Sequence, residues 1–238
     1  MHKPLDLHQV FAPTSVLSSV EWAAVQTLLL ALECRDAETY HHSLRVADLA
    51  TRSCQALGLE QTSLEEVLIA GLLHDIGKIG LPDSVLQKAG RLSKSERGLI
   101  ALHPELSANI LTPLPKFDRV RDIILQHHER FDGTGYPDGR CGAEIFIESR
   151  VLAISDAFDA LCTERPYRSP LTSEEAIGWI ESEVGRQFCP VSFQATHQVL
   201  ETQPMPSDRI KRRPLSGLDS VSSHKFSPDF LMTLLTNS

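Results

Sequence analysis

Apolar residues recur at helical spacing along most of this chain, and no segment alternates apolar and polar positions between hairpin turns. Residues 15–33 carry Val16, Val20, Trp22, Val25, Leu28, Leu29 and Leu32 on one helical stripe. Asp36 is placed to cap a second helix that runs to residue 57 and stops at Gly58. Thr62-Ser63-Leu64-Glu65-Glu66 offers two overlapping capping boxes to a helix leading into His74-Asp75, and Gly77, Gly80 and Pro82 then break it. Ser93-Lys94-Ser95-Glu96 opens another helix, expected to end near His103-Pro104, with Pro104 in the first turn of the next, through Leu111. Residues 117–129 are predicted helical, with His127-His128 at their end. Residues 130–142, with Gly133, Gly135, Pro137, Gly139 and Gly142, are predicted as a loop. Residues 147–161 are again helical. Thr172-Ser173-Glu174-Glu175 caps a helix to Val184, and Pro190 starts a last one to about Glu201. The expected fold is all-α, without internal repeats.

Composition changes after Glu201, where residues 202–227 are rich in Pro, Ser, Lys and Arg. The expected organisation is an N-terminal segment 1–19, a helical domain 20–201 and a flexible tail 202–238. Within the tail, residues 229–236 could form a short terminal helix. A net charge of −8 argues against a general nucleic-acid binder, and the basic residues 209–213 read as a solvated tail. An anionic substrate would need a local cluster of Lys and Arg. Five cysteines, odd in number and without a CxxC, read as reduced thiols in a cytosol. Residues 1–6 lack the apolar core of a signal peptide, and the most apolar stretch, 23–32, is too short to span a bilayer. No membrane insertion is expected.

The chemistry lies in imidazoles and carboxylates spread over half the chain: Glu38, His42, His74-Asp75, His103, His127-His128 and Asp156. Taken singly, a helical His is ordinarily structural or exposed. Glu38 and His42, however, are four apart and share a helix face, while His41 points elsewhere and reads as surface. Asp75 follows Leu72-Leu73-His74, where a carboxylate should be buried only if paired or metal-bound. Asp156 sits in a similarly apolar stretch. Adjacent His127 and His128 diverge in a regular helix, but a fraying last turn could aim both at one cleft. Neutral imidazoles and carboxylates suit borderline and hard divalent ions, and one Asp can bridge two of them. Such a pair can trap a hydroxide, which makes a nucleophile for phosphorus at neutral pH.

Cations and turns complete the reading. Lys78 lies four residues after His74, one helical turn further, and could meet a phosphate or leaving oxygen; otherwise it is a charged helix end. Arg165 and Arg168 flank Tyr167 in a loop after the Asp156 helix, and their planar forks suit phosphate. Gly135-Tyr136-Pro137 is first a turn signature. Asp159, one turn after Asp156, either supports the site from behind or bonds the loop.

These residues carry a resemblance. His42, His74-Asp75 and Asp156 reproduce the signature of the HD phosphohydrolase superfamily, and the chain more specifically resembles a bacterial HD-GYP domain over residues 20–201. Six segments match in order. The first three are Glu38-Thr39-Tyr40-His41-His42-Ser43-Leu44-Arg45-Val46, His74-Asp75-Ile76-Gly77-Lys78-Ile79-Gly80 and His103-Pro104-Glu105. The others are His127-His128-Glu129-Arg130-Phe131-Asp132-Gly133-Thr134-Gly135-Tyr136-Pro137, Ser155-Asp156-Ala157-Phe158-Asp159-Ala160 and Arg165-Pro166-Tyr167-Arg168. His-Asp alone would be a weak signal; the six together are specific.

The resemblance implies an HD-domain helical bundle with a multi-metal centre that hydrolyses cyclic di-GMP to pGpG or GMP in the bacterial cytoplasm. It implies His42, His74, Asp75 and Asp156 on one ion, and Asp75, His103, His127 and His128 on the second. Glu38 would permit a third ion, and the metal would be iron or manganese. Lys78, Arg165 and Arg168 would meet substrate. The Gly135-Tyr136-Pro137 loop would shape the site and dock diguanylate cyclase (GGDEF) domains. The alternatives are an HD phosphohydrolase of another nucleotide, such as cyclic GMP-AMP, or a non-catalytic dinucleotide sensor or cyclase-docking module. One departure is Cys189, which stands where the family usually has Asp before Pro190; loss of that cap predicts a local stability cost rather than loss of activity.

Overall fold

The computed structural model describes residues 17–202 except 87, 89 and 165–168. The tail from residue 203, with its expected helix at 229–236, and the Arg165 and Arg168 positions lie outside the described residues, as do residues 1–16.

The described residues form helices joined by turns, with one isolated bridge between Val184 and Phe188 and no strand. Helix α1 (Ser19–Arg35) opens on a capping box: the Ser18 hydroxyl accepts from the Glu21 backbone, and the Glu21 carboxylate accepts from Ser18 N–H at 2.6 Å. Asp36 ends α1 and caps α2 (Ala37–Ala56) by accepting from the N–H groups of Glu38 and Thr39. Helix α3 (Gln61–Leu73) starts at Glu60 with no side-chain cap, so the predicted Thr62 and Ser63 capping boxes are not used. Burial explains this start: Leu64, Val67 and Leu68 enter the core from the first turns, and packing outweighs the local cap.

Helix α3 ends at His74, and the chain tightens into a 3-10 turn, Ile76–Gly80. The short α4 (Asp83–Leu86) and α5 (Lys94–Ile100, boxed by Ser93 and Glu96) lead to α6 (His103–Ile110), with Pro104 in its first turn. Lys78 is therefore not a further turn of the helix that carries His74, as expected, but part of the 3-10 turn. Gly77 is required there, because a Cβ would stand 2.4 Å from the His103 carbonyl and 2.6 Å from Ser107 N. Through that close approach Gly77 N–H donates to Ser107 Oγ at 2.8 Å, and Ser107 Oγ donates to the His74 carbonyl at 2.7 Å. The start of α6 is thereby clamped to the end of α3.

Helix α7 (Asp118–Leu125) ends before His127, and residues 126–128 form a turn rather than the expected continuation to 129. Helix α8 (Ile147–Cys162) follows the glycine-rich loop. Helix α9 (Ser173–Ser182) starts from the Thr172–Glu175 capping box and stops two residues earlier than expected, with Gly185 at φ +82° in the turn beyond. Helix α10 (Pro190–Thr202) closes the described chain. The Cys189 sulfur stands at its start and accepts from Arg150 Nη1 at 3.3 Å. Burial pushes this thiol up, but hydrogen bonding at the helix start, from the Ser192 backbone and from Arg150, outweighs it and lowers its pKa.

Helices α2 and α8 run between two apolar clusters. One joins Val25, Leu29 and Leu32 of α1 to Val46, Val67, Leu68, Leu72, Ile123, Ile124, Val151 and Leu152. The other joins Leu49, Ile154 and Phe158 to Ala176, Ile180, Phe188, Val199 and Leu200. No helix among the described residues is long and apolar enough to cross a membrane.

Candidate metal centre

Five elements deliver the candidate ligands to one place: His42 from α2, His74-Asp75 from the end of α3, His103 from the start of α6, His127-His128 from the turn after α7, and Asp156 from α8. Ligand atoms of three groups lie within 4.8 Å of one another: His42/His74/Asp75, His103/His127/His128 and His74/His127/Asp156. The turn after α7 is what points both adjacent imidazoles inward.

Asp75 is at the middle. Its Oδ1 lies 3.3 Å from His103 Nε2, while its Oδ2 lies 3.4 Å from His74 Nε2 and 3.7 Å from His42 Nε2. The two oxygens thus face two different histidine sets, as a bridging carboxylate requires. Lys78 Nζ meets Oδ2 at 2.6 Å. On the same edge of His42, Asp156 Oδ1 is 3.1 Å from Nε2.

Backbone carbonyls can only accept, and this sets the tautomers. Nδ1–H of His74, His103 and His127 donates to Gly71 O (2.8 Å), Ile100 O (2.7 Å) and Ile124 O (2.6 Å). In each neutral ring the inward Nε2 is therefore a lone pair. His103 Nε2 and His127 Nε2 nevertheless lie 3.3 Å apart, with His128 Nε2 at 3.2 Å from the former. His74 Nε2 is buried without a hydrogen-bond partner. Lone pairs that converge in this way need a shared cation, so the donor set fits divalent metal ions.

Electrostatics agree. Burial pushes His127 well below the usual imidazole range and His128 down to about 4, and burial also lowers His103, so these rings stay neutral and free to ligate. Burial would raise Asp75, but the positive charge beside it, that of Lys78 first, holds it ionised, well below its ordinary value. Burial likewise opposes ionisation of Asp156, and His42 outweighs it. His42 is the exception. Burial disfavours its charge, yet Asp156 and Asp159 raise it to about 9.

Access is one-sided. Asp75 and His103 are 2% exposed, whereas His42 is 12%, Asp156 20% and Lys78 28% exposed, so the centre opens to solvent over that rim. The Gly135-Tyr136-Pro137 loop folds back on the same centre. Tyr136 N–H donates to His128 O at 3.2 Å, and the Tyr136 ring lies 5.0 Å from that of His128. A Cβ on Gly135 would stand 2.3 Å from Arg130 N and 2.6 Å from His128 O, so glycine is what lets the loop lie against this turn.

Other expected residues fall as follows. Asp159 supports the site from behind, with its Oδ2 2.7 Å from His42 Nδ1. Glu38 is exposed on the first turn of α2 and belongs to none of the three close groups. His41 is half-buried beside Tyr40 rather than fully at the surface. Three residues escaped the sequence reading. Ser107 clamps α6. Buried Glu129 accepts from the N–H groups of Asp138 and Gly139 at 2.7 and 3.1 Å and so ties down the loop. Arg45 holds Asp159. Glu129 follows His128 directly, and an acidic residue beside two buried histidines was a usable signal; Ser107 gave none.

Comparison with known proteins agrees with this geometry. A family model described as HD domain matches residues 25–190. The chain is 36% identical over 191 residues to the cyclic di-GMP phosphodiesterase response regulator RpfG of Xanthomonas campestris, covering 79% of this chain and 50% of that protein. It is 36% identical over 168 residues to the 3'3'-cGAMP-specific phosphodiesterase 2 of Vibrio cholerae, covering 70% and 32%. The chain thus spans half or less of the length of these relatives. Among solved structures it is similar to an HDG"Y"P protein from Bdellovibrio bacteriovorus, at TM-score 0.55 and 25% identity, covering 68% of this chain and 52% of that one.

Proposed function

Since the chain belongs to the HD domain family, we propose that it is a metal-dependent phosphodiesterase that hydrolyses cyclic di-GMP to pGpG, with GMP after a second cut. The observation that carries this reading is the convergence of imidazole lone pairs around the two oxygens of Asp75. His42, His74, Asp75 and Asp156 would hold one ion, and Asp75, His103, His127 and His128 the other. Glu38, at the exposed rim, permits a third. A nitrogen and oxygen donor set without thiolate favours iron or manganese over structural zinc. Bound divalent ions would supply Lewis acidity toward phosphoryl oxygens and a water ionised at neutral pH.

The chain's own residues do the rest. Asp75 carries negative charge between the two histidine sets. Lys78, at the accessible rim and 2.6 Å from Asp75, is placed to meet charge that develops on a phosphoryl or leaving oxygen. Arg165 and Arg168 would hold substrate phosphate from the loop after α8. The Gly135-Tyr136-Pro137 loop braces the His127-His128 turn, and its outer face is the proposed docking point for diguanylate cyclase domains. The proposed compartment is the bacterial cytoplasm, supported by five free cysteines.

A second reading, hydrolysis of cyclic GMP-AMP, is favoured by the Vibrio cholerae relative's specificity. The test is a substrate panel on protein purified anaerobically and loaded with Fe(II) or Mn(II). The proposal expects kcat/KM for cyclic di-GMP to exceed that for 3'3'-cyclic GMP-AMP by about tenfold or more. The reverse order moves the assignment to the second reading. Two bound ions with hydrolysis of neither would identify a binding module.

A further inference from the structure

His42 differs from the other candidate ligands in what stands behind it. The rings of His74, His103 and His127 are backed by neutral main-chain carbonyls. Nδ1–H of His42 instead donates to a carboxylate, Asp159 Oδ2, at 2.7 Å. Asp159 is held on both of its oxygens. Arg45 Nε bonds Oδ1, Arg45 Nη2 donates to Oδ2 at 2.9 Å, and Thr163 Oγ1 donates to Oδ2 at 3.3 Å. Arg45 Nη2 also donates to Thr163 Oγ1 at 3.3 Å, which closes the cluster. Arg45 lies three residues after His42 on α2, while Asp159 belongs to α8 and Thr163 ends it, so the clamp spans two helices. A planar guanidinium that contacts both oxygens fixes the plane of a carboxylate, which a single point charge cannot do.

We propose that Arg45 is a positioning residue of the metal centre. Through Asp159 it fixes the His42 ring with Nε2 toward Asp75 and Asp156, and it sets the affinity of the ion at His42 without acting on the ion at His103, His127 and His128. The inference rests on the two-ion reading above and deepens it: the two sites are unequal because, among the described residues, only one of them has a clamped carboxylate behind a ligand. Partners of this outer kind orient the ring and raise its basicity, and their loss commonly costs ~10–100-fold in metal affinity.

The test is Mn(II) titration of the metal-stripped full chain by calorimetry, with electron paramagnetic resonance to count bound ions. The wild type is expected to bind two ions. In Arg45→Ala one ion should weaken by ~10–100-fold and the other should keep its affinity. Arg45→Lys, which restores charge without the fork, should fall between the two. Adding Arg45→Ala to His42→Ala should weaken binding no further, since Arg45 acts only through that ring. A merely structural role in joining α2 to α8 would weaken both ions alike and would add to His42→Ala; either result overturns the proposal, as do two unchanged affinities in Arg45→Ala. If Arg45→Ala fails to fold, Arg45→Lys and Arg45→Gln decide the matter by the same comparison of the two ions. Fewer than two ions in the wild type would defeat the two-ion reading itself, a failure visible before any variant is made.

Discussion

Two buried polar clusters involve α7 and α8, and they meet the cost of burial in opposite ways. At one, Glu148 is 4% exposed and accepts on both of its oxygens from Arg119 Nη2, at 3.1 and 3.3 Å, while the Arg119 guanidinium lies 3.5 Å over the Phe146 ring. Nearby, Phe146 N–H donates to Gln126 Oε1 at 2.8 Å, and Ser149 Oγ donates to the Ile123 carbonyl at 3.1 Å. Donors meet acceptors and charge meets counter-charge. At the other, two turns along α8, imidazole lone pairs point at one another and His74 Nε2 has no partner. The first cluster is complete as built. The second is complete only with cations, and that difference separates a structural network from a metal centre when both are buried and polar.

The comparison breaks first at Asp75. Asp75→Asn should release both ions and lower hydrolysis on the order of a thousandfold or more, since it removes the charge shared by both histidine sets. His41→Ala, one residue from His42 but outside the close groups, should do neither. Metal analysis of both variants checks this, and equal metal loss would mean that the wrong face of α2 has been assigned.

The next largest effect belongs to Gly135→Ala. The added Cβ must displace Arg130, Glu129 or the His128 carbonyl, at a cost of about 1–3 kcal/mol. The ion at His127 and His128 should weaken, while the network around Glu148 stays intact. Chelator competition together with urea denaturation reads both effects, and full retention of both ions would show that the loop does not brace the turn.

Glu148→Gln should show the converse pattern. It removes charge from a satisfied pair whose arginine is about one-third exposed, so the loss is held to about 1–2 kcal/mol. Metal content should not change. Loss of metal in this variant would erase the distinction between the clusters.

A further effect is the pH dependence of the metal-stripped protein. His103, His127 and His128 have pKa values below the ordinary 6.5, the last at about 4, so the unfolded chain binds more protons than the folded one as pH falls from 6.5 toward 4. Stability should therefore drop over that window. His42 has the opposite sign: raised to about 9, it contributes stability below 6.5 that is lost as pH rises through 9, so it does not titrate between 6.5 and 4. Asp75 and Asp156 stay ionised throughout the window. Urea midpoints at pH 6 and pH 4.5 measure the change, and equal midpoints would contradict the neutral, buried state of the three rings.

What the sequence revealed follows the same division. The candidate ligands stood out in the sequence because polar residues in apolar helical runs are difficult to explain otherwise: Asp75 after Leu72-Leu73-His74 and Asp156 after Ile154-Ser155. The capping boxes at Ser93 and Thr172 were legible because their partners lie three residues away. The start of α3 was not, since long-range burial of Leu64 and Val67 decided it. Lys78 was placed on the wrong element because the 3-10 turn depends on contact between Gly77 and α6, thirty residues downstream. Arg45 lies in a matching segment, but its role was not legible, because its partners Asp159 and Thr163 come from α8, more than a hundred residues away.

The central claim is that the converging imidazoles are completed by divalent ions and that this completion supports hydrolysis. Its most direct measurement is metal content by mass spectrometry alongside cyclic di-GMP turnover in one preparation, before chelation, after chelation, and after return of Fe(II) or Mn(II). The active protein should hold two or more ions per chain, lose turnover with the ions, and recover both together. Unchanged turnover after complete removal of the ions, or an active protein that holds none, would contradict it.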